Sequence, residues 1–202
     1  MKTELLRILL WLWSAFGVYW IGTAFLQRRP KSAEASATDS SGKSGEFPFY
    51  RLLRITILAL TFALLFSDGR AVGILRNRFL PDSVILAALG FCACLLGFGI
   101  AIWARVHLGR YWSDKVVLRE DHQLIRSGPY SYMRHPIYSG VLLGVAGTAI
   151  VLGELRGFLA FVLLTANYWI KARKEEKILG HQFGEEFKLH QARAGFLLPR
   201  LH

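Results

Sequence analysis

Long apolar blocks alternate with short basic segments along this chain, and that rhythm predicts its architecture. Leu5 to Leu26 is about 22 residues broken only by Gly17 and Gly22, long enough as a helix to cross a hydrocarbon core of ~30 Å. A signal peptide has a shorter apolar region and a small-residue cleavage site. The aromatic residues Trp11, Trp13, Phe16, Tyr19 and Trp20 also argue for a first transmembrane helix instead. Leu52 to Phe66 predicts a second, shorter span with Phe47, Phe49 and Tyr50 as interfacial anchors, and Val84 to Val106 a third. Ile137 to Leu152 and Phe158 to Ile170 are two further blocks, separated only by Gly153 to Gly157. Both are short for independent spans, so a tightly packed or tilted hairpin is expected. Gly140, Gly144 and Gly147 fall near one helix face, where they admit either a neighbouring backbone or a ligand.

The polar segments complete the picture. Residues 28–46 are Ser, Ala, Gly, Lys and Asp without apolar periodicity. Such a segment buries too little surface to offset its ordering entropy, which predicts a mobile loop. Its Ser41 to Ser44, Ser-Gly-Lys-Ser, lacks the upstream strand and glycine spacing of a phosphate loop. From Lys171 onward the pattern becomes amphipathic, with Glu176, Leu179, Phe183, Phe187 and His190 three or four apart on one stripe. Glu176 therefore points towards protein or membrane, whereas Glu175 is placed to pair with Lys171. The expected fold is an all-α integral membrane protein of about five transmembrane helices. It includes a short C-terminal helical hairpin and ends in a cytoplasmic amphipathic helix. Residues 1–83 hold the N-terminal helices and residues 84–202 the functional core.

Composition changes the picture in one respect. The 202 residues are 53% hydrophobic with a net charge of +11, and the basic residues lie between apolar blocks. That is a membrane pattern, in which positive charge sets topology and meets anionic headgroups, and it excludes a soluble nucleic-acid binder. Arg105, Arg110, Lys115, Arg119, Arg126 and Arg134 follow the third block, and Lys171, Arg173, Lys174 and Lys177 follow the fifth. Both segments are expected to be cytoplasmic, as is the loop bearing Arg28, Arg29 and Lys31, which implies an external N-terminus. Arg70, Arg76 and Arg78 dissent from this arrangement. Cys92 and Cys94 lie two apart on one helix and point to different faces, so neither a disulfide nor a metal site is implied.

Candidate chemistry gathers at Gly128-Pro129-Tyr130-Ser131-Tyr132-Met133-Arg134-His135-Pro136-Ile137-Tyr138-Ser139-Gly140. Ionisable side chains at a membrane boundary are costly and mark function. Arg134 offers a planar fork suited to a carboxylate or phosphate. His135 can donate, accept or take a proton. Pro136 suits the first turn of a helix, and Tyr138 can reach back towards the same pocket. His122, Tyr130, Tyr132 and Glu176 complete a set expected at one membrane depth.

The run from His122 to Tyr130, followed by Arg134-His135-Pro136-Ile137-Tyr138-Ser139-Gly140, resembles the core motif of the isoprenylcysteine carboxyl methyltransferase family. These are membrane methyltransferases related to phospholipid N-methyltransferases. The family's second motif is matched by Glu175-Glu176-x-x-Leu179-x-x-x-Phe183-Gly184-Glu185-Glu186-Phe187, ending in Arg193 and Pro199. Phe187, His190 and Ala194-Gly195 depart from the family's usual tyrosines and Val-Pro. The resemblance implies transfer of a methyl group from S-adenosylmethionine to a lipophilic or prenylated acceptor that enters from the bilayer. His122, Leu124, Gly128, Tyr130, His135, Tyr138, Glu175 and Glu176 would then hold the cofactor. Arg134 and Arg193 would sit nearest the acceptor, and Glu176 would act with them in catalysis. Carboxyl methylation of an isoprenylcysteine-type substrate leads. Phospholipid amine N-methylation is the alternative, and a membrane sterol or enone reductase or a non-catalytic scaffold are the outsiders. The short loops imply a prokaryotic cytoplasmic membrane, with the site facing the cytoplasm.

Overall fold

The computed structural model describes residues 2–26, 48–67, 70–109 and 124–200. The expected loop at 28–46 and His122 lie outside the described residues. Among the described residues five α-helices form the fold: α1 Lys2–Leu26, α2 Pro48–Phe66, α3 Val84–Leu108, α4 Pro136–Leu152 and α5 Leu155–Arg193. Short 3-10 turns at Arg70–Arg76 and Gly128–Ser131 precede α3 and α4. Among the described residues there is no strand, only isolated bridges between Arg78 and Glu154 and between Met133 and Gly195. The all-α expectation holds. Of the five expected spans, α1 and α3 are long and apolar enough to cross a membrane, while Leu52–Phe66 and Pro136–Leu152 are shorter apolar helices.

The centre of the fold is the crossing of α3 and α4, where backbone meets backbone. A Cβ on Gly97 would lie 2.5 Å from the Gly144 nitrogen, and one on Gly90 would lie 2.6 Å from the Gly147 carbonyl. Gly140, Gly144 and Gly147 are therefore packing residues, as small residues are at close helix crossings in membranes. Cys94 is buried in this interface and Cys92 is exposed, in keeping with their expected divergence. Helix α1 docks through Leu9 and Trp13, both buried. The Trp13 indole donates to Thr148 Oγ1 at 3.0 Å and meets Phe62 and Phe98 edge-on. The outward face of α1 is apolar and exposed: Trp11, Val18, Ile21 and Leu26 are all bare. A surface of that kind needs lipid or a partner to cover it.

Helix α4 ends at Gly153, whose left-handed backbone (φ 67°) caps it. Only Gly153 and Glu154 separate it from α5, a tighter join than the five-residue separator in the sequence. Buried Arg156 locks this end. It pairs with Glu154 at 2.6 Å and donates to the Leu64 and Ser67 carbonyls left open where α2 stops. Arg78, one of the dissenting arginines, pairs with Asp82 at 3.4 Å and donates to the Leu80 carbonyl.

The largest departure from expectation is in α5. The fifth apolar block and the amphipathic segment are one helix, because Lys171 to Leu179 are mostly strong helix formers with nothing to stop them. That helix then breaks at Gly184 (φ 48°, ψ −118°), a conformation open to glycine. The chain doubles back there: Gln191 Nε2 lies 3.3 Å from Glu176 Oε2, whereas 15 residues of straight helix would separate them by ~22 Å. Glu176, Phe187 and His190 are all buried, but they face one another from two arms and do not form one stripe.

Candidate active site

The site forms where α4 begins and the two arms of α5 meet. His135 precedes α4 in a non-helical conformation (φ −125°, ψ 56°), and Pro136 opens the helix. This turn aims His135 and Arg134 at α5. Arg134 Nε donates to Glu176 Oε1 at 2.5 Å. Its Nη1 donates to the carbonyl oxygens of Gln191, at 3.3 Å, and Ala194. Its backbone nitrogen donates to the Gly195 carbonyl at 2.8 Å. Arg134 thus ties the returning arm to the start of α4 and satisfies carbonyls that the helix end leaves open.

His135 lies between two carboxylates, with Nδ1 3.6 Å from Glu175 Oε2 and Nε2 3.4 Å from Glu176 Oε1. It is 7% exposed, and its Nε2 has no aligned hydrogen-bond partner among the described residues. The ring stacks on Tyr138 at 5.5 Å and meets Phe196 edge-on at 5.2 Å. The Tyr138 hydroxyl donates to Glu175 Oε1 at 2.5 Å. Lys171 stands 3.9 Å from the same oxygen, so the expected pairing of Lys171 with Glu175 is present.

Burial alone would raise the Glu176 carboxyl. The contact with His135 and the hydrogen bond and charge of Arg134 outweigh it and hold the group below the ordinary carboxylate value. His190 goes the other way. Burial first, then the charges of Arg134 and Arg126, push it down to about 4, so its imidazole is neutral. Burial, reinforced by Glu175, raises the Tyr130 phenol.

Arg134, His135, Tyr138 and Glu176 are brought together, Glu175 joins them, and Tyr130 is buried. Tyr132 does not join them: its side chain is exposed, and its carbonyl serves the Gly195 and Arg200 nitrogens. Leu124 is half-buried. Gly128 (φ 59°) lies against the His107 imidazole, which a Cβ there would meet at 2.8 Å. Arg193, expected near the acceptor, ends α5 with an exposed side chain. Residues the sequence did not single out as site members also enter, chiefly Phe196, Gln191, Tyr168 and Lys171. Only proximity in space reveals them, because the returning arm and the segment after it are what bring Gln191 and Phe196 to Arg134.

The site is a buried centre of paired charges where a helix begins, in a chain with two described helices long and apolar enough to cross a membrane. The phospholipid methyltransferase family model matches residues 85–186, and the chain belongs to that family. Within it, the chain is similar to isoprenylcysteine methyltransferases. It is 30% identical over 146 residues to a probable protein-S-isoprenylcysteine O-methyltransferase of Oryza sativa subsp. indica, covering 71% of this chain and 75% of the relative. It is 26% identical over 193 residues to the human protein-S-isoprenylcysteine O-methyltransferase, covering 93% of this chain and 66% of that protein. The solved eukaryotic intramembrane Ras methyltransferase, isoprenylcysteine carboxyl methyltransferase, shares the fold with a TM-score of 0.51 at 22% identity. The match covers 83% of this chain and 60% of that one. The chain is a membrane methyltransferase.

Proposed function

We propose that the chain moves the methyl group of S-adenosylmethionine onto the carboxylate of a lipid-like, isoprenylcysteine-type acceptor. The observation that carries this reading is the ionised Glu176, buried at 6% exposure between Arg134 and His135. The residues fit such a cofactor: a buried His135 Nε2 without an aligned partner suits a group that brings its own hydrogen-bonding atoms. Leu124, Gly128, Tyr130, His135, Tyr138, Glu175 and Glu176 would hold it. S-adenosylmethionine supplies a methyl group already activated on a sulfonium, so the protein chiefly positions and keeps water out. Glu176 offers negative charge to a cationic ligand, and the Tyr138 hydroxyl fixes Glu175. Phe196 covers the His135 ring edge-on. A carboxylate acceptor is ionised at neutral pH and asks for no base.

An amine acceptor is the second reading, favoured by the seat of His135 between two carboxylates. An ammonium must lose a proton before it can attack, and His135 is placed to take it. The topology that accompanies either reading has five spans, an external N-terminus and the site at the cytoplasmic face.

Calorimetric titration of detergent-purified protein with S-adenosylmethionine and its demethylated product tests this, with nicotinamide cofactors as controls. Saturable binding of the methyl donor, weakened at least about tenfold in Glu176→Gln by loss of a charged partner, is expected. Binding of a nicotinamide cofactor with none of the methyl donor would sink the proposal.

A further inference from the structure

Arg173 stands outside the cluster that binds Glu175 and Glu176. Its side chain is exposed, and among the described residues no carboxylate pairs with it. Two aromatic rings hold it instead. The guanidinium carbon is 5.0 Å from the Trp169 centroid and 4.8 Å from that of Phe196, and the two rings meet edge-on at 4.8 Å. Cation–π contacts of this kind fix a long side chain while leaving its N–H donors available. Phe196 connects this corner to the reaction centre, since His135 and Arg134 contact the same ring at 5.2 and 5.6 Å.

The position of Arg173 along α5 matters as much as its seat. Phe161, Thr165, Trp169 and Arg173 recur every four residues and so share one helix face. Phe161, Thr165 and Trp169, with Val162 and Ala166, line an apolar groove of about 280 Å³. One strip of α5 therefore runs from an apolar trough to a fixed cation at the edge of the site. Arg134, the other guanidinium at this corner, already donates to Glu176 and to two helix-end carbonyls.

We propose that Arg173, seated on Trp169 and Phe196, binds the anionic group of an amphiphilic acceptor whose apolar chain lies along Phe161 to Trp169. The proposal rests on the methyltransferase reading and names the residue that selects the acceptor's head. A carboxylate and a phosphate present the same chemistry to a guanidinium fork. Arg173 holds the acceptor for reaction and takes no part in bond making.

The test is equilibrium binding of three single-chain amphiphiles to the full chain in one detergent. They are an N-acylated S-prenylcysteine with a free carboxylate, its uncharged carboxamide, and a prenyl monophosphate. Arg173→Gln should weaken the carboxylate or the phosphate probe about 10- to 100-fold, as loss of a charged hydrogen-bond partner does. It should leave the carboxamide unchanged, and Arg173→Lys should restore only part of the loss. The anion that suffers more identifies the head the site is built for. Equal loss for all three probes, or no loss for either anion, overturns the proposal. S-adenosylmethionine binding, followed in parallel, reports separately on the methyltransferase reading: if that fails while the anionic probes still respond to Arg173→Gln, only the reaction is in error. Where the carboxylate probe is methylated, Arg173→Gln should raise its KM by the same factor with kcat little changed.

Discussion

Arg134 was expected to face the acceptor, and the structure gives it a heavier duty whose removal has a calculable effect. In Arg134→Ala, Glu176 loses its shortest partner while remaining almost wholly enclosed. Arg134 and Glu176 side chains are 12% and 6% exposed, so solvent screens the pair little. Removing one member of such a buried pair costs about 3–5 kcal/mol. The Gln191 and Ala194 carbonyls lose a donor in addition. The loss falls on the returning arm, residues 185–195, which Arg134 joins to α4. Amide hydrogen exchange across that arm should accelerate by about two orders of magnitude or more, while exchange at the α3–α4 crossing stays unchanged. Arg134→Lys should fail to restore protection, because an ammonium cannot span a carboxylate and two carbonyls as a planar fork does. A cycle with Glu176→Gln should show the two changes to be non-additive by about 0.5–3 kcal/mol. If protection of 185–195 is the same in Arg134→Ala as in the parent, Arg134 does not hold the arm and the reasoning fails.

Two further outcomes follow from the same coordinates. His190 has a folded pKa of about 4, below its ordinary value near 6.5, so between those two pH values the unfolded chain binds more protons. Stability should therefore fall as pH drops from ~6.5 towards ~4, and His190→Phe should flatten that slope in thermal unfolding at stepped pH; an unchanged slope would show that His190 does not carry it. Gly97→Ala should prise α3 from α4, since the new methyl meets backbone at 2.5 Å. A penalty of about 1–3 kcal/mol should appear as a lowered unfolding temperature, and a Tm equal to the parent's would contradict the close crossing.

Much of this was legible in the sequence for physical reasons. Hydrophobic block length located α1 and α3, and Pro136 marked the start of α4. Spacing of the ionisable residues picked out the centre, because Arg134 and His135 sit immediately before an apolar helix. The fold-back at Gly184 was not legible. A glycine within a helical pattern costs little enough to be passed over, and nothing local says that the chain reverses there. That one residue makes two facing arms of what the spacing reads as one stripe, and brings Gln191 and Phe196 to the site. The partner of the α4 glycines was present in the pattern Gly90, Cys94, Gly97, Ala101, but pairing it with Gly140, Gly144 and Gly147 requires knowing which helices cross. Arg193 illustrates the opposite limit: a matched motif position whose side chain the structure leaves exposed.

The glycine crossing has a consequence for traffic into the site. Where two backbones touch along Gly90, Gly97, Gly140 and Gly147, there is no width for a hydrocarbon chain, and no rotamer change can create any. The α3–α4 seam is therefore sealed to lipid from the first turn of α4 onward, and Arg156 pins the end of α2 to the start of α5 at the opposite end of the hairpin. On the other side, α5 keeps an exposed apolar flank at Val162, Trp169 and Ile170, on the one helix that also carries Glu175 and Glu176. Under the proposed reaction, residues on that flank can be exchanged to suit another acceptor without disturbing the wall behind it.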